Sequence, residues 1–200
     1  MSRREDKLIQ YLAEAQAMEL ALVTTLRAHI LMTPRGAYRL LLERHLEETR
    51  AQARRIGERL SELGASRSLV ASSLLTLQTV AGQAISLSKG PVDALRGRSG
   101  EEKLLKNAKD ECATEALEIA TYIGLETLAR SLDDVATADL AADHRAQEER
   151  MLARLHEQLP RLTEAVVAAE LGGERAYDPA KTGAADAARG AADAARDATE

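Results

Sequence analysis

Six glutamates fall on helical positions that a bundle normally fills with leucine. They are Glu19, Glu48, Glu111, Glu115, Glu118 and Glu148, and His45, Gln52 and His144 share their faces. An ionised carboxylate buried without a partner costs several kcal/mol, and several in one core repel one another. Divalent cations remove that penalty. Carboxylates on facing helices can bridge two such ions, with imidazole filling out the sphere. The residue types therefore point to a dinuclear metal centre. They leave one alternative open, a polar core of protonated or water-paired carboxylates.

Spacing supports convergence. Glu115 and Glu118 are i, i+3 and can point the same way. His45 and Glu48 are i, i+3, Glu48 and Gln52 are i, i+4, and so are His144 and Glu148. Each helix offers a ligand near mid-length. Glu111, one turn before Glu115, and Tyr122, one turn after Glu118, can add a ligand or support one by hydrogen bonding. His29 reads as a helix-end or packing histidine, His156 as exposed, and Cys112 as a core thiol. No Gly-rich phosphate loop, serine nucleophile elbow or zinc-type Cys/His spacing is present.

The elements that must carry these residues are helices. The chain has 200 residues, a net charge of -5, four Tyr, no Phe, no Trp and one Cys. That composition excludes a disulfide scaffold, an aromatic-rich β core and a basic nucleic-acid binder. The first seam reads Leu8, Leu12, Ala15, Glu19, Leu22, Leu26, His29, on a helix that starts near Ser2 or Arg3, where Ser2 and Glu5 have capping-box spacing. Thr33-Pro34 reads as the N-cap and first position of a second helix that ends at Gly64. Ser99 with Glu102 opens the third helix, and Asp133-Asp134 opens the fourth. Pro160 is expected to end or kink that helix, leaving Leu162, Val166 and Ala169 as a short C-terminal helix.

Between the helix pairs, residues 68–88 carry no charge but nine polar side chains, which suits a packed crossover better than a membrane span. From residue 171 the large apolar residues thin out, and GAADAAR is written twice, at 183–189 and 190–196. Residues 171–200 are therefore expected to be a disordered tail, with a weak Ala-rich helix as the alternative. Residues 1–170 form the domain. Two antiparallel helix pairs joined by one long crossover between helices 2 and 3 make an all-α, ferritin-like four-helix bundle.

At these residues the sequence resembles the YciE/YciF-type ferritin-like bacterial stress proteins. The runs His45-Leu46-Glu47-Glu48-Thr49, Glu118-Ile119-Ala120-Thr121-Tyr122 and Glu148-Glu149-Arg150-Met151-Leu152 carry the resemblance. It covers about residues 6–168, and the stretch Glu115-x-x-Glu118-Ile-Ala-x-Tyr122 is its most specific part. The resemblance implies a di-iron-type site at Glu19, Glu48, Gln52, Glu115, Glu118 and Glu148, a dimeric state and a link to stress. One departure stands out: the Glu-x-x-His motif of many ferritin-like enzymes is absent from the second and fourth helices. The donor set is rich in carboxylate and suits two iron or manganese ions.

The expected function is binding, with ferroxidase-type oxidation, of Fe(II) by O2 or peroxide. The alternatives are a non-enzymatic stress or interaction protein and a manganese-catalase-like enzyme. A cytoplasmic homodimer or small homo-oligomer is expected, with neither nucleic acid nor membrane as partner.

Overall fold

The computed structural model describes residues 3–65 and 99–198. Helix α1 spans Arg3–Met32, α2 Ala37–Glu62, α3 Gly100–Ser131 and α4 Val135–Leu171. A 3-10 turn at Pro179–Lys181 leads to α5, Gly183–Asp197. The packing is that of a four-helix bundle: α1 pairs mainly with α2, and α3 with α4. Position Ser2 and the crossover at 68–88 lie outside the described residues.

The apolar core comes in two layers. Leu8, Leu12, Ile56, Leu60, Leu125, Ala129, Ala138 and Ala141 belong to one. Leu22, Leu26, Leu42, Leu46, Ala108, Met151 and Leu155 belong to the other. Each helix passes from one layer to the other, and the polar residues of its seam fall in between. The order of residues in the layers makes α1 antiparallel to α2 and α3 antiparallel to α4, with α2 and α3 running the same way. Helix α3 therefore starts at the end of the bundle opposite to the one where α2 stops.

Local caps follow the residue types. Ser99 accepts a hydrogen bond from the Glu102 amide at 3.3 Å. Asp134 accepts from the Thr137 amide at 3.0 Å, satisfying a donor that the helix leaves unpaired. Arg59, near the end of α2, donates to both Asp134 oxygens at 2.8 Å and so ties α2 to the start of α4. Gly64, at φ +68°, takes the left-handed turn that ends α2.

Three expectations need correction. Thr33 does not cap α2, which begins at Ala37 behind Gly36. The Thr33 hydroxyl donates back to the His29 carbonyl at 2.7 Å, and Pro34 forms a bridge with Thr182 instead of entering a helix. Pro160 does not end α4, and residues 162–169 are not a separate helix: α4 continues to Leu171. Leu159 and Leu162 pack on the second apolar layer, on either side of the proline, and hold the helix through it.

The tail is ordered. Residues 183–197, expected to be disordered, form α5, capped by Thr182. Its anchor is Asp186, which Arg35 contacts at 2.6 Å and Arg39 at 2.7 Å, with Arg189 closing the cluster. Gly183 lies so close to the end of α1 that a Cβ would sit 2.6 Å from the Ile30 carbonyl oxygen. Tyr177 donates its amide to Glu101 at 2.7 Å and its hydroxyl to the Met32 carbonyl at 3.0 Å.

Candidate metal centre

The seam positions occupy the waist between the two apolar layers. Helix α1 brings Glu19, α2 His45 and Gln52, α3 Glu115 and Glu118, and α4 His144 and Glu148, all buried. One donor atom each from His45, Glu115 and Glu148 lies within 4.8 Å of the others, close enough for a single ion to reach all three. His45 Nε2 is 2.8 Å from Glu115 Oε1. The Gln52 amide donates to Glu148, and the Tyr122 hydroxyl donates to Glu19. Glu118 and His144 complete the waist.

Glu48 is half-buried and stands outside that three-residue group. Its charge still acts on His45 and Glu115. Glu111 is buried but bonds elsewhere: its carboxylate meets His29 Nδ1 at 2.6 Å and the Tyr38 hydroxyl at 2.8 Å. His29, read from the sequence as a packing residue, is thus a carboxylate partner. Tyr38, buried near the start of α2, is the second partner. The two lie 82 and 73 positions from Glu111, so no local spacing links them.

Electrostatics mark the waist as costly when it holds no cation. Burial lifts Glu115 to about 8, and the Glu111 and Glu48 charges add to the lift. Burial and the Glu115 charge lift Glu148 to about 8 as well. Burial, then repulsion from Glu148, raises Glu19 well above the usual range, while the Tyr122 hydroxyl opposes the rise. Glu118 is raised well above its ordinary value by burial and by Glu19, Glu115 and Glu148. Burial pushes His144 down to about 3 and lowers His45. Both imidazoles are thus held neutral, the form that ligates a metal.

The donor set fits a cation. Among the described residues, both Glu118 oxygens, both His144 nitrogens, Glu19 Oε2, His45 Nδ1 and Gln52 Oε1 are buried without a hydrogen-bond partner. Native cores rarely tolerate such atoms, and an ion that draws on several satisfies them together. A carboxylate-rich set with two imidazoles and one amide suits iron or manganese more than zinc or copper.

Comparison with known proteins places this fold. The family described as a domain of unknown function, DUF892, matches residues 3–168. A protein from Xanthomonas campestris pv. campestris superposes with a TM-score of 0.65 at 22% identity, over 84% of this chain and 99% of its own. The E. coli stress protein YciF gives 0.60 at 20% identity, over 82% and 99%. YcfI from Rhodopseudomonas palustris gives 0.58 at 19% identity, over 78% and 94%. These likenesses establish the shared fold and bear out the YciE/YciF-type resemblance. Among curated proteins nothing matches. Among the described residues, no helix is long and apolar enough to cross a membrane.

Proposed function

The chain belongs to the DUF892 family, and from that premise we propose that it is a dinuclear metal-carboxylate protein that binds Fe(II) and oxidises it with O2 or peroxide under stress conditions. The observation that carries the reading is Glu118. It is fully buried, and neither of its oxygens has a hydrogen-bond partner among the described residues. A leucine there would make a more stable bundle, so the carboxylate calls for a cation.

In this reading Glu19, Glu48, Gln52, Glu115, Glu118 and Glu148 hold two ions, with His45 and His144 as nitrogen donors. Iron bound there supplies one-electron exchange with O2 or peroxide; manganese is the alternative ion. The protein's own groups do the rest. Gln52 orients Glu148, His45 orients Glu115, and Tyr122 steadies Glu19. The apolar layers on either side exclude bulk water and strengthen every charge interaction in the waist. The same reading takes a cytoplasmic homodimer or small oligomer as the working form.

Metal content per chain after anaerobic Fe(II) loading and desalting tests the proposal, with Glu115→Gln/Glu118→Gln beside the wild type. About two irons in the wild type and none in the variant supports the centre. Absence of stoichiometric metal in the wild type sinks it and leaves a hydrogen-bonded polar core. Rapid O2 release from peroxide by the manganese-loaded protein would favour catalase chemistry over Fe(II) oxidation.

A further inference from the structure

Glu111 is buried one turn before Glu115 on the same face of α3, yet its bonds lead away from the centre. Oε1 lies 2.6 Å from His29 Nδ1, and Oε2 accepts from the Tyr38 hydroxyl at 2.8 Å. Three helices therefore converge on a carboxylate whose two oxygens are both engaged by residues outside the donor set. Packing alone would use leucine here, as the flanking layer does with Leu26 and Leu42.

Position gives the cluster its meaning. Glu19, Glu115, Glu118 and His144 are completely sealed from solvent. The side chain of His29 keeps 11% of its surface exposed, against 1% for Glu111. The cluster thus has one end at the surface and the other one helical turn from a donor residue. Residues four apart on a helix face have Cβ atoms about 6 Å apart, a gap that carboxylate rotation or a single water spans. The other ionisable groups near it are Asp110, Cys112 and Glu115 on α3 and His45 on α2. Metal capture by protonated carboxyl groups releases protons, and a close-packed core offers them no open route.

We infer that His29, Glu111 and Tyr38 form the proton exit of the metal centre. Glu111 is the inner acceptor, His29 the surface relay, and Tyr38 a positioning residue that fixes the Glu111 carboxylate. The inference rests on the metal-centre reading. A proton leaving the centre binds a Glu111 oxygen and passes to His29 Nδ1. The Nε2 proton of the resulting imidazolium then goes to water or buffer. Only O–H and N–H bonds form and break, and no electron moves.

The test is anaerobic Fe(II) addition in stopped flow, with a pH indicator in weak buffer. Glu111→Gln and His29→Ala are expected to reach the wild-type metal content but to release protons about tenfold or more slowly. Added imidazole restores the rate of His29→Ala and leaves Glu111→Gln slow. Wild-type proton release in both variants overturns the inference, as does a slow His29→Ala that imidazole fails to rescue. Should His29→Ala fail to fold, Glu111→Gln decides alone, since its amide can still bond both neighbours. A wild type that captures no metal sinks the centre and the relay together. Full metal content at unchanged rates removes the relay and leaves the centre standing.

Discussion

The rings of Tyr122 and His144 stand at right angles, 89° apart, with their centroids separated by 5.1 Å. The Tyr122 hydroxyl meanwhile donates to Glu19. One side chain on α3 thereby touches polar residues of both α1 and α4, while its body packs in the apolar layer beside Leu125 and Ala141. His144 is wedged against an aromatic edge or face that cannot hydrogen-bond its nitrogens in the usual way, and both nitrogens lack a partner among the described residues. The contact keeps a neutral imidazole turned into the waist.

That arrangement has a pH signature in the metal-free protein. Glu115 and Glu148 move from an ordinary 4.5 to about 8 on folding. A group whose pKa rises on folding contributes stability below its unfolded value and loses it as pH climbs to the folded value. The stability of the metal-free protein should therefore fall between pH 4.5 and 8. His144 moves the other way, from 6.5 to about 3, so its contribution is lost as pH falls through that window. Thermal unfolding in chelator should show a maximum in mildly acidic buffer. A flat profile, or a maximum above pH 8, would contradict the buried carboxylates.

Replacing those carboxylates should separate stability from function. Glu115→Gln/Glu118→Gln keeps the shape of both side chains and removes their ionisation. At pH 8 without metal the variant should be more stable than the wild type by roughly 1–4 kcal/mol. The advantage should shrink towards pH 5, where the wild-type Glu115 is protonated when folded and the proton costs little to take up. Divalent metal should raise the wild-type Tm and leave the variant unmoved. Urea unfolding at the two pH values checks the sign. A destabilised variant would mean that Glu115 and Glu118 are there for packing.

The periodic parts of this molecule were readable from the sequence, and the long-range ones were not. Leu8, Leu12, Ala15, Glu19, Leu22 and Leu26 recur every three or four residues, and all of them are buried. Ser99 and Asp134 cap the helices they precede. Both are local signals, carried by backbone donors a few residues away. Thr33-Pro34 looked like the same signal, but the Thr33 hydroxyl found the His29 carbonyl first, and Pro34 found Thr182 across the fold. The pairing of His29 with Glu111 also depends on how α1 and α3 rotate against each other. The tail misled composition for a similar reason. An Ala-rich segment cannot order itself by burial, but Asp186 meets two arginines more than 140 positions earlier.

That clamp should be separable from the bundle. The Arg35, Arg39 and Arg189 guanidiniums hold Asp186 far below the usual carboxylate range, so the clamp survives everywhere except in strong acid. Asp186→Ala removes the shared anion, and Gly183→Val drives a Cβ into the Ile30 carbonyl. Each should abolish amide protection over residues 183–197 while the bundle Tm changes little. Hydrogen exchange resolved along the chain reads both effects. Persistent protection in the double variant would show that other contacts, such as Tyr177 on Glu101, hold the tail.

Tyr122→Phe removes one oxygen and keeps the ring against His144. The lost hydroxyl is the only hydrogen-bond donor to Glu19 among the described residues, and it opposes the upward shift of that carboxyl. Without it Glu19 holds its proton more tightly. A metal ion must then displace a proton that leaves at higher pH, so the pH of half-maximal loading should rise. Metal content at saturation should not change, because the hydroxyl already belongs to Glu19 and no donor is removed from the waist. The metal-free protein should lose about 1 kcal/mol, the usual net worth of a buried hydrogen bond. Mn(II) titrations at several pH values check the prediction without oxidation chemistry. A half-loading pH that stays where it was would mean that Glu19 draws nothing from Tyr122, and that the tyrosine is there only to pack.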